Sequence, residues 1–334
     1  MTLLPQELLK SKAPSNRPVI SLCEGSDPRI VAGALAAHQA DLADVILVGD
    51  ADAVRTELAN QGASESAGVQ VHDPLTSPLT SDFAAEYHSL RKHKGVDEAK
   101  ALSAVQTPVV YAAMLVRLGH ATGTVGGAVL TTGEIVRSAI QVIGMAKDAA
   151  MVSSFFLMYP PETATTGARA MLYSDCGLVI DPSAKELAEI AKASAKSCQA
   201  LLETDPKIAF LSFSTKGSAR HDAVSKVSEG LAIFKDAAPE IEADGEFQFD
   251  AAFVPAVGAR KAPGSDVAGH ANVMIFPNLD AGNIGYKITQ RLGGYMAIGP
   301  VMQGLAKPAN DLSRGCTAQD VTQMIAVTAL QALK

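Results

Sequence analysis

Residues 18–49 read PVISLCEGSDPRIVAGALAAHQADLADVILVG. The apolar, partly β-branched run 18–22 predicts a strand. The alanine-rich run 28–43 predicts a helix, with Asp27 as its cap and Pro28 at its first position. The run 45–49 predicts the next strand. Strand, helix and strand in this order form a βαβ unit, and repeated units predict a mainly parallel sheet covered by helices on both faces.

The pattern recurs along the chain. Further strands are expected over 124–130, 151–158, 177–180, 208–214, 251–254 and 273–276. Further helices are expected over 108–118, with Thr107 as cap, and over 132–145, 187–202, 222–238 and 317–333. A chain of 334 residues is long for one core, so two domains are expected. The composition places a boundary near residue 150. A glycine-rich crossing, GGYMAIGP at 293–300, marks a return to the first domain. The expected division is therefore 1–149 plus 301–334 for the first α/β domain and 150–300 for the second.

Hydrophobic residues make up 48% of the chain and charged residues 19%, an ordinary globular balance. The formal net charge of -7 argues against a nucleic-acid partner, which calls for a basic face. No apolar run reaches the roughly 18 residues a membrane helix needs, so no membrane association is expected. The N-terminal MTLLPQELLKSKAPSNRP lacks the apolar core of a secretory signal. Cys23, Cys176, Cys198 and Cys316 are scattered without metal-ligand spacing, so free thiols in a reducing cytoplasm are expected. The histidines likewise show no zinc pattern, and no metal is expected.

Two glycine-bearing pieces of the segment 278–320 are suited to an anion. In 310–320, NDLSRGCTAQD, Ser313 and Arg314 precede a predicted helix. Arg314 has the forked donors that suit phosphate. Asp320 has two readings: a base, or the acidic member of a capping box with Thr317. Cys316 is a rival nucleophile, because a thiol at a helix start tends toward thiolate, but no Cys-His pairing can be read from the spacing and a small buried cysteine is the commoner fate. In 280–291, DAGNIGYKITQR, Asn283, Lys287 and Arg291 share one helical face beyond a strand end, as an anion site or as a solvated basic face. Arg91 lies in the basic cluster LRKHKG, where a surface role is the simpler reading. Arg137 lies in TTGEIVR near a helix start. Neither Gly-x-Gly-x-x-Gly nor the P-loop pattern is present, so a dinucleotide or P-loop site is not supported.

Longer pieces carry a family likeness. They are LRKHKGVDEAKA, TVGGAVLTTGEIVRSAIQ, VSSFFLM, DPSAKELAEIA, LSFSTKGSA, FDAAFVP, KAPGSDVAGHANVMIFPNLDAGNIGYKITQRLGG and GLAKPANDLSRGC. Together, in this order, they resemble the phosphate acetyltransferases of short, single-unit type within the phosphate acetyl/butyryltransferase family. The resemblance implies two α/β domains around a cleft that holds the active site, similar to the isocitrate and isopropylmalate dehydrogenase architecture. It implies a homodimer and reversible acetyl transfer between CoA and inorganic phosphate, with acetyl-CoA and acetyl phosphate as the acyl donors. Carried over to this chain, Ser313 and Arg314 are the Ser-Arg pair, Asp320 is the base, and Arg91 and Arg137 bind CoA or phosphate. Neither metal nor covalent acyl-enzyme is implied, and CoA is substrate rather than resident cofactor.

An aspartate is a weak base for a thiol, which calls for burial or hydrogen bonding to tune one of the two. His120 and Ala256 stand where an acid is common in the family, and Gly126 where a serine is common. Phosphate butyryltransferase, with a wider acyl pocket, is the nearest alternative. A protein that binds acyl phosphate or CoA without turnover is a second, against which Ser313, Arg314 and Asp320 together argue. A decarboxylating dehydrogenase has fold likeness alone on its side.

Overall fold

The computed structural model describes residues 2–12, 16–164 and 167–333. In chain order it runs α1 (Pro5–Lys12), β1 (Val19–Leu22), α2 (Pro28–Gln39), β2 (Asp44–Val48), α3 (Ala51–Asn60) and β3 (Val69–His72). Next come α4 (Thr80–Arg91), α5 (Glu98–Val105), α6 (Pro108–Arg117), β4 (Gly123–Gly126) and α7 (Thr132–Ser138). The middle of the chain has β5 (Ser153–Tyr159), β6 (Met171–Ser174), α8 (Ala184–Leu202), β7 (Ile208–Leu211), α9 (Asp222–Ala237) and β8 (Ala243–Phe247). It continues through α10 (Phe249–Phe253), α11 (Pro255–Lys261), β9 (Val273–Ile275) and α12 (Leu279–Arg291). The chain closes with β10 (Met296–Gln303), β11 (Ala309–Asp311) and α13 (Ala318–Ala332).

The chain divides into two compact units, Pro5–Lys147 with Leu305–Lys334, and Asp148–Gly304 with Met1–Leu4. The first holds a five-stranded sheet in the order β11-β4-β1-β2-β3, with every pairing parallel. A parallel sheet is covered on both faces, so its strands read as continuous apolar runs. Ile20, Leu22, Val45, Leu47 and Val125 are accordingly sealed from solvent. The second unit holds a six-stranded mixed sheet, β10-β5-β6-β9-β7-β8. Its β6, β9, β7 and β8 run parallel, while β10 and β6 flank β5 antiparallel. Every residue of β5 is buried. Among the described residues no single helix is long and apolar enough to cross a membrane.

Several elements differ from the sequence expectation, each for a local reason. The helix expected over 28–43 ends at Gln39, because Asp41 takes a left-handed backbone (φ 60°) and turns the chain into β2. The strand expected over 124–130 stops at Gly126, where Gly127 has φ 107°. The helix expected over 132–145 gives way after Ser138 to a π-helical turn, Ala139–Ile143. Residues 177–180 form a turn, not a strand: the amides of Gly177 and Leu178 donate to the buried carboxylate of Asp175. The apolar run at 251–254 is mostly helical, with Phe249 and Phe253 stacked one turn apart at 5.6 Å. Asp27 caps α2 as expected, accepting from Arg29 N. Thr107 does not cap α6; its hydroxyl donates back to Ala104 O.

Helices α2 and α13 pack together on the first sheet, and Gly33 is the point of closest approach. A Cβ there would lie 2.5 Å from Val321 Cβ and 2.7 Å from Ala318 O. The second neighbour is backbone and cannot swing aside. Gly33→Leu improves helix propensity by about 0.8 kcal/mol, but overpacking of this contact costs about 1–3 kcal/mol. Urea unfolding is therefore expected to show net destabilisation with an unchanged m-value.

Candidate active site

In an open parallel sheet, ligands bind beyond the carboxyl ends of the strands. Strands β11, β4 and β1 are neighbours in the first sheet, so three connections leave its carboxyl edge side by side. Residues 23–27 follow β1, residues 127–131 follow β4, and residues 312–317 follow β11. The last two lead directly into α7 and α13.

The β1 connection carries the charges that organise the other two. The Glu24 carboxylate accepts four backbone N–H bonds: Oε2 from Gly127 and Ala128 at 3.0 and 2.8 Å, Oε1 from Val129 and Leu130 at 2.9 and 2.7 Å. Gly127 needs its missing side chain, because a Cβ would fall 2.1 Å from Asp311 Oδ1. Arg29 forks onto Asp27, Nε to Oδ1 at 3.0 Å and Nη2 to Oδ2 at 2.8 Å. Its Nη1 donates to Arg314 O at 2.7 Å, and its Nη2 to Ala128 O at 2.8 Å. The Arg29 hydrogen bond, followed by other contacts, holds the Asp27 carboxyl below its ordinary value even though burial opposes this. At the end of β11, Asp311 Oδ2 accepts from Thr132 Oγ1 at 2.6 Å, while Oδ1 is buried without a partner. Burial pushes the Asp311 carboxyl up to about 7; the Thr132 bond opposes the rise and the nearby Glu24 charge adds to it.

Ser313 and Arg314 are exposed on the turn that follows, with Cys316 N donating to Ser313 O at 2.9 Å. Asp320 is exposed on the first turn of α13 and completes a capping box with Thr317. Its Oδ2 accepts from Thr317 N at 2.8 Å and Thr317 Oγ1 at 2.9 Å. The capping reading of Asp320 is thus realised. Cys316 is buried, and that burial raises its thiol despite the helix start beside it and the opposing Arg29 charge. The commoner fate of a small buried cysteine is the one found. All four cysteines are buried and free.

Arg137 is exposed on α7, which begins with a second capping box, Thr131 with Glu134. It borders a cavity of about 710 Å³ whose walls include Glu24, Asp27, Pro108, Val110 and Leu130. Arg91 ends α4 and is half-buried rather than on the open surface, with Nε buried and unpartnered. The remaining candidates belong to the other unit. On α12, Asn283 donates to Cys176 O at 3.1 Å, which ties the helix to the end of β6. Lys287 Nζ bonds its neighbour Tyr286 at 2.7 Å and sits over that ring, and Arg291 is exposed. The three share a face, as the spacing predicted.

Glu24 and Arg29 were not among the sequence candidates. The available signal was a run of charges at the end of the first predicted strand. The three departures from the family pattern also take places. A Cβ at Gly126 would lie 2.3 Å from Cys23 Sγ, so the buried Cys23 thiol occupies the room a serine needs. His120 is exposed and faces the Phe83 ring at 5.6 Å. Ala256 is exposed near the start of α11.

Arginines, a serine and a carboxylate at the carboxyl edge of parallel strands have the chemistry to hold an anion, and the fold places the chain in the class of two-unit α/β proteins. The chain belongs to the phosphate acetyl/butaryl transferase family, whose model matches residues 4–329. It is 47% identical over 312 residues to a phosphate acetyltransferase of Paracoccus denitrificans, covering 93% of this chain and 94% of that protein. It superposes on a phosphotransacetylase from Streptococcus pyogenes with a TM-score of 0.89 at 40% identity, covering 97% of each chain. A 4-hydroxythreonine-4-phosphate dehydrogenase from Klebsiella pneumoniae, at 12% identity and a TM-score of 0.55 over 95% of this chain and 100% of that one, shares the fold alone. The dehydrogenase-like architecture expected from the resemblance is thereby found.

Asp311 gives a test of the carboxyl edge. Its folded-state value of about 7 stands above the ordinary 3.8, so the folded protein holds this proton more tightly than the unfolded chain. Any stability linked to that proton is complete below about pH 4 and is lost as pH rises toward about 7. Measured by urea unfolding across this range, wild type should lose stability relative to Asp311→Asn. The change is on the order of 4 kcal/mol at full ionisation. A pH-independent difference between the two proteins would contradict the assignment.

Proposed function

We propose that this chain moves an acetyl group reversibly between CoA and inorganic phosphate, acetyl-CoA plus phosphate giving acetyl phosphate plus CoA. The observation that carries the reading is the 313–320 segment, which presents a serine, an arginine and a carboxylate from the end of β11 to the first turn of α13. In the direction that forms acetyl-CoA, Asp320 takes the proton of the CoA thiol. The sulfur attacks the acetyl carbonyl, the bond from that carbon to the phosphate oxygen breaks, and phosphate leaves. Ser313 donates to the oxyanion or aligns the sulfur, and Arg314 binds the phosphate and offsets its growing charge. Each charge that develops has a residue to meet it, so the route asks for no metal, no acyl-enzyme and no cofactor beyond CoA as substrate.

Arg91 and Arg137 receive the phosphates of CoA. Support comes from the orphaned Nε of the half-buried Arg91 and from the largely apolar cavity beside Arg137, which suits the CoA arm. Asn283, Lys287 and Arg291 take the lesser part of holding phosphate. The protein works as a homodimer in the cytoplasm. Exposed Ile284 and Ile288 on α12 and Leu292 just after it, spaced by four, favour a second copy, and four free thiols favour a reducing compartment.

The test follows loss of free CoA thiol with acetyl phosphate as donor. Asp320→Asn keeps an oxygen acceptor for Thr317 but cannot take a proton, so it separates base from cap. It is expected to lower kcat by about 100-fold or more. Wild-type turnover in this variant would remove Asp320 as base. Arg314→Gln is expected to lower kcat/KM for acetyl phosphate by about 100-fold, and an unchanged value would defeat that role. In the reverse direction, acetyl-CoA should outperform butyryl-CoA.

A further inference from the structure

We propose that Arg29 is a positioning residue for acyl transfer: braced by Asp27, its guanidinium sets the 313–316 turn that carries Ser313 and Arg314. The inference rests on the function proposed above.

The argument begins with what holds that turn. Ser313, Arg314 and Gly315 are all exposed, so packing does little to fix them. Within the turn, Cys316 N donates to Ser313 O at 2.9 Å and Gly315 N reaches Ser313 Oγ at 3.3 Å, which closes the turn locally but does not tie it to the rest of the edge. The carbonyls of Arg314 and Cys316 precede α13, whose first helical residue is Ala318. Arg29 Nη1 supplies them with a donor, at 2.7 Å to Arg314 O and 3.4 Å to Cys316 O. The anchor therefore falls on the main chain of Arg314 and leaves its side chain free for phosphate.

The guanidinium is itself held. Asp27 grips Nε and Nη2 in a fork, and Asp27 also caps α2 through Arg29 N, so the pair is tied to the end of the first βαβ unit. Nη2 reaches Ala128 O at 2.8 Å as well. Residue 128 lies in the loop that Glu24 clamps through four amides and that leads into α7, which carries Arg137. One planar side chain thus joins the turn bearing Arg314 to the loop that feeds Arg137. Lysine cannot reproduce this, because an ammonium lacks the rigid fork.

Misplacement of a reacting group by about 1 Å costs on the order of 100-fold in rate. In acetyl transfer from acetyl phosphate to CoA, Arg29→Gln and Arg29→Lys are expected to lose about 10- to 100-fold in kcat. KM for CoA and the melting temperature should stay near the wild-type values. Millimolar guanidinium should restore part of the activity of Arg29→Ala, a rescue that a role in bulk stability does not produce. Folded Arg29→Gln with kcat within about twofold of wild type overturns the inference, as does activity that falls only in step with the folded fraction. If the Arg29 variants do not fold, Asp27→Asn takes over the test, since it loosens the guanidinium and keeps it present. Its kcat should drop several-fold, and an unchanged kcat overturns the inference. Wild-type protein without any acetyl transfer overturns the functional reading, and this inference with it.

Discussion

The carboxyl edge of a parallel sheet leaves its connecting loops with backbone donors and acceptors that no strand can pair, and this protein meets that demand with two opposite charges on one turn. Glu24 gathers the N–H groups of residues 127–130, while Arg29 gathers the carbonyls of Ala128, Arg314 and Cys316. An unpaired buried backbone group costs as much as a lost hydrogen bond, so loops this close to the core need such partners. The carboxylate suits the amides and the guanidinium suits the carbonyls. Asp27 balances the Arg29 charge at the site of use.

The remaining features of the site follow from that arrangement. Loop 127–130 and the 312–316 turn lead into α7 and α13, and both helices begin with a capping box. Each box fixes the direction in which its helix leaves the edge. The Asp320 carboxylate is therefore held in place by Thr317, and the role proposed for it in acyl transfer falls on the same side chain that caps the helix. Asp311, between these loops and close to Glu24, cannot readily become a second anion in the same buried space. Its hydrogen bond with Thr132 joins the end of β11 to the start of α7.

Much of this was legible before any coordinates. Asp27 before Pro28, the alternation of apolar runs with alanine-rich runs, and Thr317 three residues before Asp320 each carry a short-range physical signal, and each led to the observed element. Other signals misled. Residues 251–254 are apolar in the manner of a strand, yet Phe249 and Phe253 stack across a helical turn. Residues 177–180 look like a buried strand, but the Asp175 carboxylate captures the amides a sheet would have used. In each case a contact with another segment, or burial, decides against the local preference.

The sequence by itself determined the parallel βαβ architecture, the helix starts that cap themselves, and the identity of the serine, arginine and carboxylate on the 313–320 segment. These depend on neighbours a few residues apart, so spacing alone reports them. Only the tertiary structure decided that Glu24 and Arg29 organise the carboxyl edge. The loop groups they hold are far off in sequence: Arg29 reaches Ala128 across 99 positions and Arg314 across 285. The order β11-β4-β1 brings these segments together, and strand order is a property of the whole sheet rather than of any stretch of chain.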